Sequence, residues 1–183
     1  MSAAAPRIHL VFGPVGAGKS TYARSLAGRE RGVRFAIDDW MHELFAPDIV
    51  DMLDFGWIMA RVRRCEQRIR GTALDVLRTG TPVVLDLGLM KTASRAAFRA
   101  WAAEHGHALG DHFVHAPAPV RAERVRARNA TRGETFSFEV TPAMFEFMEG
   151  MFEPPVGSEL QGATVIDTTP PAALSTNMEV KNA

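Results

Sequence analysis

Between residues 13 and 21 the chain reads GPVGAGKST, with Gly13, Gly18, Lys19 and Ser20 at the spacing of a loop that holds phosphate. Glycines let successive backbone N–H groups curl around an anion, and a lysine directly before the helix reaches the outer phosphates. A following serine offers a hydroxyl to magnesium, and the helix points its positive end at the same charge. Gly13, Pro14, Val15, Gly16, Ala17, Gly18, Lys19, Ser20 and Thr21 are therefore all candidate phosphate contacts, and a nucleoside triphosphate is the implied ligand.

Two further groups of residues could act on that ligand. Asp38 and Asp39 follow an apolar segment and could face the γ-phosphate; the spacing gives Asp38 as a base for an acceptor hydroxyl. Asp39 is expected to cap the next helix or support Asp38. Asp86 ends the apolar run PVVLDL and would hold magnesium or orient the acceptor. Downstream, VRAERVRARNATRGE places Arg121, Arg124 and Arg128 on one helical face, with Arg132 in the loop beyond. Planar guanidinium groups spread charge over phosphate oxygens, so Arg128 and Arg132 are candidates for a lid that closes on the triphosphate. Arg126 points elsewhere.

These residues need elements that hold them at one edge. Short apolar runs predict strands at 8–12, 33–37, 82–87, around 113–114 within 108–116, and at 163–167. Helical spacing predicts helices at 21–27, 40–45, 54–78, 92–105, 120–130 and 141–152, with Asp54 capping the third. The alternation predicts an α/β fold: a five-stranded parallel sheet with helices on both faces and the ligand at the carboxyl ends of the strands. Residues 1–169 read as a single domain and 170–183 as a flexible tail.

Composition narrows the partners. Of 183 residues, 46 % are hydrophobic and 23 % charged, with a formal net charge of zero, which gives no bulk attraction to nucleic acid. A single cysteine, Cys65, excludes an internal disulfide and suits the cytoplasm. It reads as core. No apolar stretch has the length of a membrane span, and the first residues lack the pattern of a secretory signal.

The remaining sequence selects among triphosphate-binding proteins. Asn-Lys-x-Asp and Asp-x-x-Gly, the motifs of a GTP switch, are both missing from the chain. Leu87 follows Asp86 where a hydrolytic motor carries a water-activating glutamate. Transfer to another hydroxyl is favoured over hydrolysis. The segments GPVGAGKSTYAR, IDDW, VVLDLG and RNATRG together resemble the group of P-loop kinases that contains zeta-toxin-like kinases, polynucleotide 5′-kinases and many small predicted kinases. The resemblance spans about residues 7–167 and implies a nucleoside-monophosphate-kinase-like fold with an arginine lid. It implies ATP and Mg2+ as cofactors and Asp38 as the base. Arg128 and Arg132 would clamp the triphosphate, and Asp86 would stand near the reacting groups. FEPPVGSE, at 152–159, resembles a stretch of the predicted kinases whose neighbouring connection lies against adenine. Ile37, where the polynucleotide kinases carry Arg or Ser, and the neutral charge favour a small-molecule hydroxyl over a nucleic acid. The alternatives are a polynucleotide 5′-hydroxyl kinase, a nucleotide-sugar kinase, and a nucleotide-sensing module without an acceptor.

Weaker patterns remain. His105, His107, His112 and His115 lie close in sequence but alternate in direction, so a metal site is not expected. Trp57, Arg61, Arg64 and Arg68 form a helical stripe whose early part could border an acceptor pocket. Met144, Phe145, Phe147, Met148, Met151 and Phe152 read first as core and only secondarily as pocket lining.

Overall fold

The computed structural model describes residues 7–48, 55–133, 136 and 138–171. Its strands are β1 (Ile8–Phe12), β2 (Val33–Ala36), β3 (Val83–Asp86), β4 (Leu109–His115) and β5 (Thr164–Asp167). All pair in parallel in the order β2-β3-β1-β4-β5. β1 lies at the centre and is buried at every residue, which is why it reads as an apolar run broken only by His9 and not as an alternating one.

The helices are α1 (Lys19–Glu30), α2 (Ile37–Phe45), α3 (Phe55–Arg78), α4 (Thr92–Glu104), α5 (Ala118–Thr131), α6 (Pro142–Met151) and α7 (Gly157–Gly162), with a 3-10 turn at Ala46–Asp48. Successive strand residues face opposite sides, and two cores follow from that. Ile8, Leu10 and Phe12 pack with Phe35, Val83 and Leu85 against Ile69 and Leu77 of α3 and Phe98 and Trp101 of α4. Val11, Val84 and Val114 face the other way, onto Ala23 and Leu26 of α1. Cys65 sits in the first core, as its helical position predicted.

Three expectations are corrected. The second strand stops at Ala36, and α2 begins at Ile37, so Asp38 and Asp39 lie in its first turn. Asp39 is therefore not the N-cap; that position is Ala36, which offers no side-chain acceptor. The apolar residues of 144–152 do not form core: α6 buries none of its residues, and Phe147 is 58 % exposed. A short helix, α7, occupies residues for which no element was predicted. The predicted cap Asp54 and the tail beyond Pro171 lie outside the described residues. Among the described residues, no helix is long and apolar enough to cross a membrane.

Candidate active site

The loop after β1 takes the shape its glycines allow. Gly13 has φ of 152°, and a Cβ there would stand 1.9 Å from the carbonyl oxygen of Val114, so only glycine fits. Gly18 is the N-cap of α1 with φ of 90°. No side chain caps that helix, and its first turn carries no acid. Its amino-terminal N–H groups and their partial positive charge are thus left for an anion.

Lys19 crosses the loop it belongs to, its Nζ donating to the carbonyl of Pro14 at 2.9 Å. Burial lowers the pKa of the ammonium, and the carboxylates of Asp86 and Asp38 oppose that effect. Loop residues 13, 15, 16 and 18–21 line a cleft of about 290 Å³ together with Asp38, Gly88, Met90, Arg124, Arg128, Phe138 and Met148. Asp38 reaches this cleft from the first turn of α2. Solvent touches its carboxylate through the open mouth, yet protein surrounds it on the other sides. That burial, with the charge of Asp86, pushes its carboxyl above the usual carboxylate range, against the pull of Lys19 and Arg128.

Asp86 is 5 % exposed and is fixed by a residue that sequence reasoning did not single out. Arg34 of β2 donates to Asp86 Oδ2 from Nη2 at 2.7 Å and from Nε at 3.2 Å, and to Asp39 Oδ2 from Nη1 at 2.9 Å. The register explains the meeting: Ala36 stands opposite Asp86, and Arg34 two residues earlier is on the same face. Asp39 is thus a supporting group for the arginine that holds Asp86.

The basic face of α5 divides into separate tasks. Arg121 is buried, donating to the carbonyls of Ala116 at 2.8 Å and Val15 at 3.1 Å and pairing with Glu149 at 2.5 Å. It braces the phosphate loop against α6. Arg124 bonds the hydroxyl and carbonyl of Thr168, whose hydroxyl donates in turn to Ala17 of the loop at 2.8 Å. Arg128 lines the cleft near Asp38, and its buried Nε has no hydrogen-bond partner. Arg132 stands outside the cleft, exposed, as the left-handed C-cap of α5 over the ring of Phe136. Arg126 is exposed and pairs with Glu123.

The segment 152–159 is fastened to α4, and none of its residues lines the cleft. Arg95, fully buried, bonds the carbonyls of Leu89, Met90 and Glu153 and the carboxylate of Glu159. Arg61 lies 3.3 Å over the Trp57 ring and 5.5 Å from that of Phe45, also away from the cleft, and Arg64 and Arg68 are exposed. His112 bonds His9 at 3.0 Å and Tyr22 at 2.9 Å. The described residues contain no group of three or more His, Cys, Asp or Glu that could hold a metal ion. Ser20 lines the cleft and Asp86 does not, although its charge reaches Lys19 and Asp38. A cation there would rest on Ser20, waters and phosphate oxygens, with Asp86 behind the waters, a hard-oxygen donor set that fits magnesium.

Lysine, arginine and a helix N-terminus without a side-chain cap converge on one edge with a carboxylate of raised pKa, which can bind a polyphosphate and accept a proton beside it. Comparison with known proteins bears on the fold that carries this site. No curated protein matches the chain. A gluconokinase from Sinorhizobium meliloti 1021 is 21 % identical with a TM-score of 0.53, over 90 % of this chain and 83 % of its own. A sugar kinase from Janibacter sp. HTCC2649 is 16 % identical with a TM-score of 0.58, over 89 % and 86 %. A chain of the Pnkp1/Rnl/Hen1 RNA repair complex is 20 % identical with a TM-score of 0.60, over 82 % of this chain and 45 % of its own. At these identities the likeness is one of fold. The sequence pattern of the AAA domain family matches residues 8–155, and the chain belongs to that family.

Proposed function

We propose that the protein is a cytoplasmic ATP-dependent phosphotransferase that moves the γ-phosphoryl group to a hydroxyl of a small molecule, with residues 1–169 as its one working unit. The observation that carries this reading is Asp38: a carboxylate of raised pKa in the phosphate-loop cleft, close enough to Lys19 and Arg128 to feel both charges. A hydrolytic enzyme would need a residue to activate water, and Leu87 follows Asp86 instead.

In this reading the loop amides of residues 13–18 and the amino end of α1 hold the β- and γ-phosphates, and Lys19 exchanges the Pro14 carbonyl for phosphate oxygen. Ser20 directly and Asp86 through water would hold magnesium, which would offset the charge of the phosphates. Asp38 orients the acceptor hydroxyl and takes its proton as the new P–O bond forms and the bond to the ADP oxygen breaks. Arg128, with a guanidinium N–H unpaired inside the protein, stabilises the moving charge, and Arg132 joins it when the loop beyond α5 closes.

The test is ADP release from magnesium-ATP with a panel of hydroxyl acceptors, including sugars, nucleosides, aminoglycosides and a 5′-hydroxyl oligonucleotide. An acceptor-dependent rise that Asp38→Asn abolishes is the expected result. Tight ATP binding with no response to any acceptor would instead favour a nucleotide-sensing role.

A further inference from the structure

Three carboxylates gather past the carboxyl ends of β2 and β3, and only one of them opens on the cleft. Asp38 lines it; Asp39 and Asp86 do not. The charges of Asp86 and Asp39 both reach Asp38, so the three stand close enough to repel one another. Arg34 takes hold of the two that stay outside. Its Nε and Nη2 donate to Asp86 Oδ2 at 3.2 and 2.7 Å, and its Nη1 turns to Asp39 Oδ2 at 2.9 Å. A planar guanidinium presents donors in two fixed directions at once; an ammonium on a flexible stem does not.

The junction between β2 and α2 explains what such a fork does. The strand ends at Ala36 and the helix begins at Ile37, with no connecting residue between them. No side chain caps α2. Ile37 is buried in the first core and Trp40 lies edge-on to Phe35, ring centroids 6.3 Å apart, so the apolar side of the first turn is packed. The bond from Arg34 to Asp39 holds its polar side, next to Asp38 in the chain. At the other end of the fork, Asp86 is the last residue of β3 and stands in register with Ala36.

We propose that Arg34 is a positioning residue: by gripping Asp86 and Asp39 together it sets Asp38 against the end of β3, and so against the phosphate loop. For its chemistry the inference rests on the phosphotransferase reading, in which Asp38 meets the acceptor hydroxyl. Arg34 does not line the cleft itself. Its loss therefore acts on the rate of transfer and not on nucleotide affinity, and the grip can be tested without turnover.

Two variants of the full chain cut the fork. Asp39→Ala removes one arm and, with the Asp39 side chain 41 % exposed, leaves overall stability nearly unchanged. Arg34→Lys keeps the charge and loses the fork. Amide exchange is followed by NMR with magnesium-ADP bound. The Trp40 and Met41 amides, the first in α2 with an acceptor inside the helix, should exchange about tenfold faster in either variant, with β1 unchanged. With the acceptor that responds in the panel above, kcat should fall about tenfold while KM for ATP stays within about twofold. The double variant should be no worse than the worse single one. Glu43→Ala, which removes the same charge from an exposed place on the same helix, should alter neither measurement.

Parental exchange at Trp40 in Asp39→Ala, or equal losses in rate and ATP affinity, overturns the proposal. A rate loss as deep as that of Asp38→Asn would make Asp39 itself the base and overturns it too. Faster exchange at Trp40, with no ADP release by the parent on any acceptor, would keep the grip on α2 and remove the phosphotransferase.

Discussion

Arg34 bonds Asp86 and Asp39 at the same time, and so couples the end of β3 to the first turn of α2. Both Asp86 and Arg34 are nearly enclosed, with side chains 5 % and 13 % exposed. Removing the arginine leaves a buried carboxylate beside Asp38 without its strongest partner. Arg34→Met should lower stability by about 3 kcal/mol, a fall in melting temperature of roughly 6–12 °C for a chain of this size. Asp86→Asn in the same background should restore part of the loss. Strictly additive effects in a double-mutant cycle would remove the coupling.

Asp38→Asn should cut acceptor-dependent turnover on the order of a hundredfold or more while sparing the affinity for ATP. The same residue predicts an acid limb. Because its folded-state pKa is raised, chiefly by burial and then by Asp86, the rate should fall as pH drops through a value above the ordinary Asp range. The sign for stability is the reverse of the usual acid. A raised carboxyl costs stability above its folded pKa and nothing below its unfolded one. Asp38→Asn should therefore melt higher than the parent at pH 7, with the gap closing on acidification. A lower melting point at pH 7 would contradict the raised pKa.

The pair beneath α1 sets a second pH dependence. Burial pushes the His112 imidazole down to about 4, with His9 and Arg29 adding to it; burial lowers His9 as well, against the charge of Glu30. A lowered histidine means that the unfolded chain binds more protons between about 6.5 and about 4, so stability falls as pH falls through that window. The loss traceable to His112 is about 3 kcal/mol. Melting temperatures from pH 7 to pH 4 should decline less steeply in His112→Gln than in the parent. Parallel slopes would remove His112 as the cause.

Gly13→Ala should fail for a steric reason. The added carbon would lie 1.9 Å from the Val114 carbonyl, which belongs to a central strand and cannot withdraw. Loss of nucleotide binding with a stability loss of at least about 2 kcal/mol is expected, read by calorimetry and thermal melts. Gly28→Ala is the control, since a side chain there meets nothing within 4 Å.

The parts of this molecule that sequence disclosed are those written in neighbouring residues. The phosphate loop is local, the strand β1 before it is apolar at every residue but His9, and α5 carries its arginines at helical spacing. What stayed hidden depends on partners distant in sequence. Arg34 is an unremarked residue of a short edge strand until β3 brings Asp86 alongside it, 52 positions away. Arg121 shares a face with Arg128, yet Val15 and Glu149 take it out of the cleft and into the framework. Arg95, in an alanine-rich helix, gives no hint that it is fully buried, because its acceptors are carbonyls and a glutamate from three other segments. The start of α2 was misjudged because an aspartate pair after a strand suggests a cap, whereas here it supplies the first turn. Met148 was taken for core because helical periodicity cannot tell a buried stripe from one that lines an open cleft.

Asn129 and Val140 meet twice: the Asn129 amide donates to the Val140 carbonyl at 2.8 Å and accepts from the Val140 amide at 3.2 Å. The last turn of α5 and the residue ahead of the α6 cap are thereby joined directly, eleven positions apart in sequence. Arg128 stands on the near side of that junction and Arg132 on the far side, so the two arginines are anchored differently: one by the helix, the other only by the stretch that the junction closes.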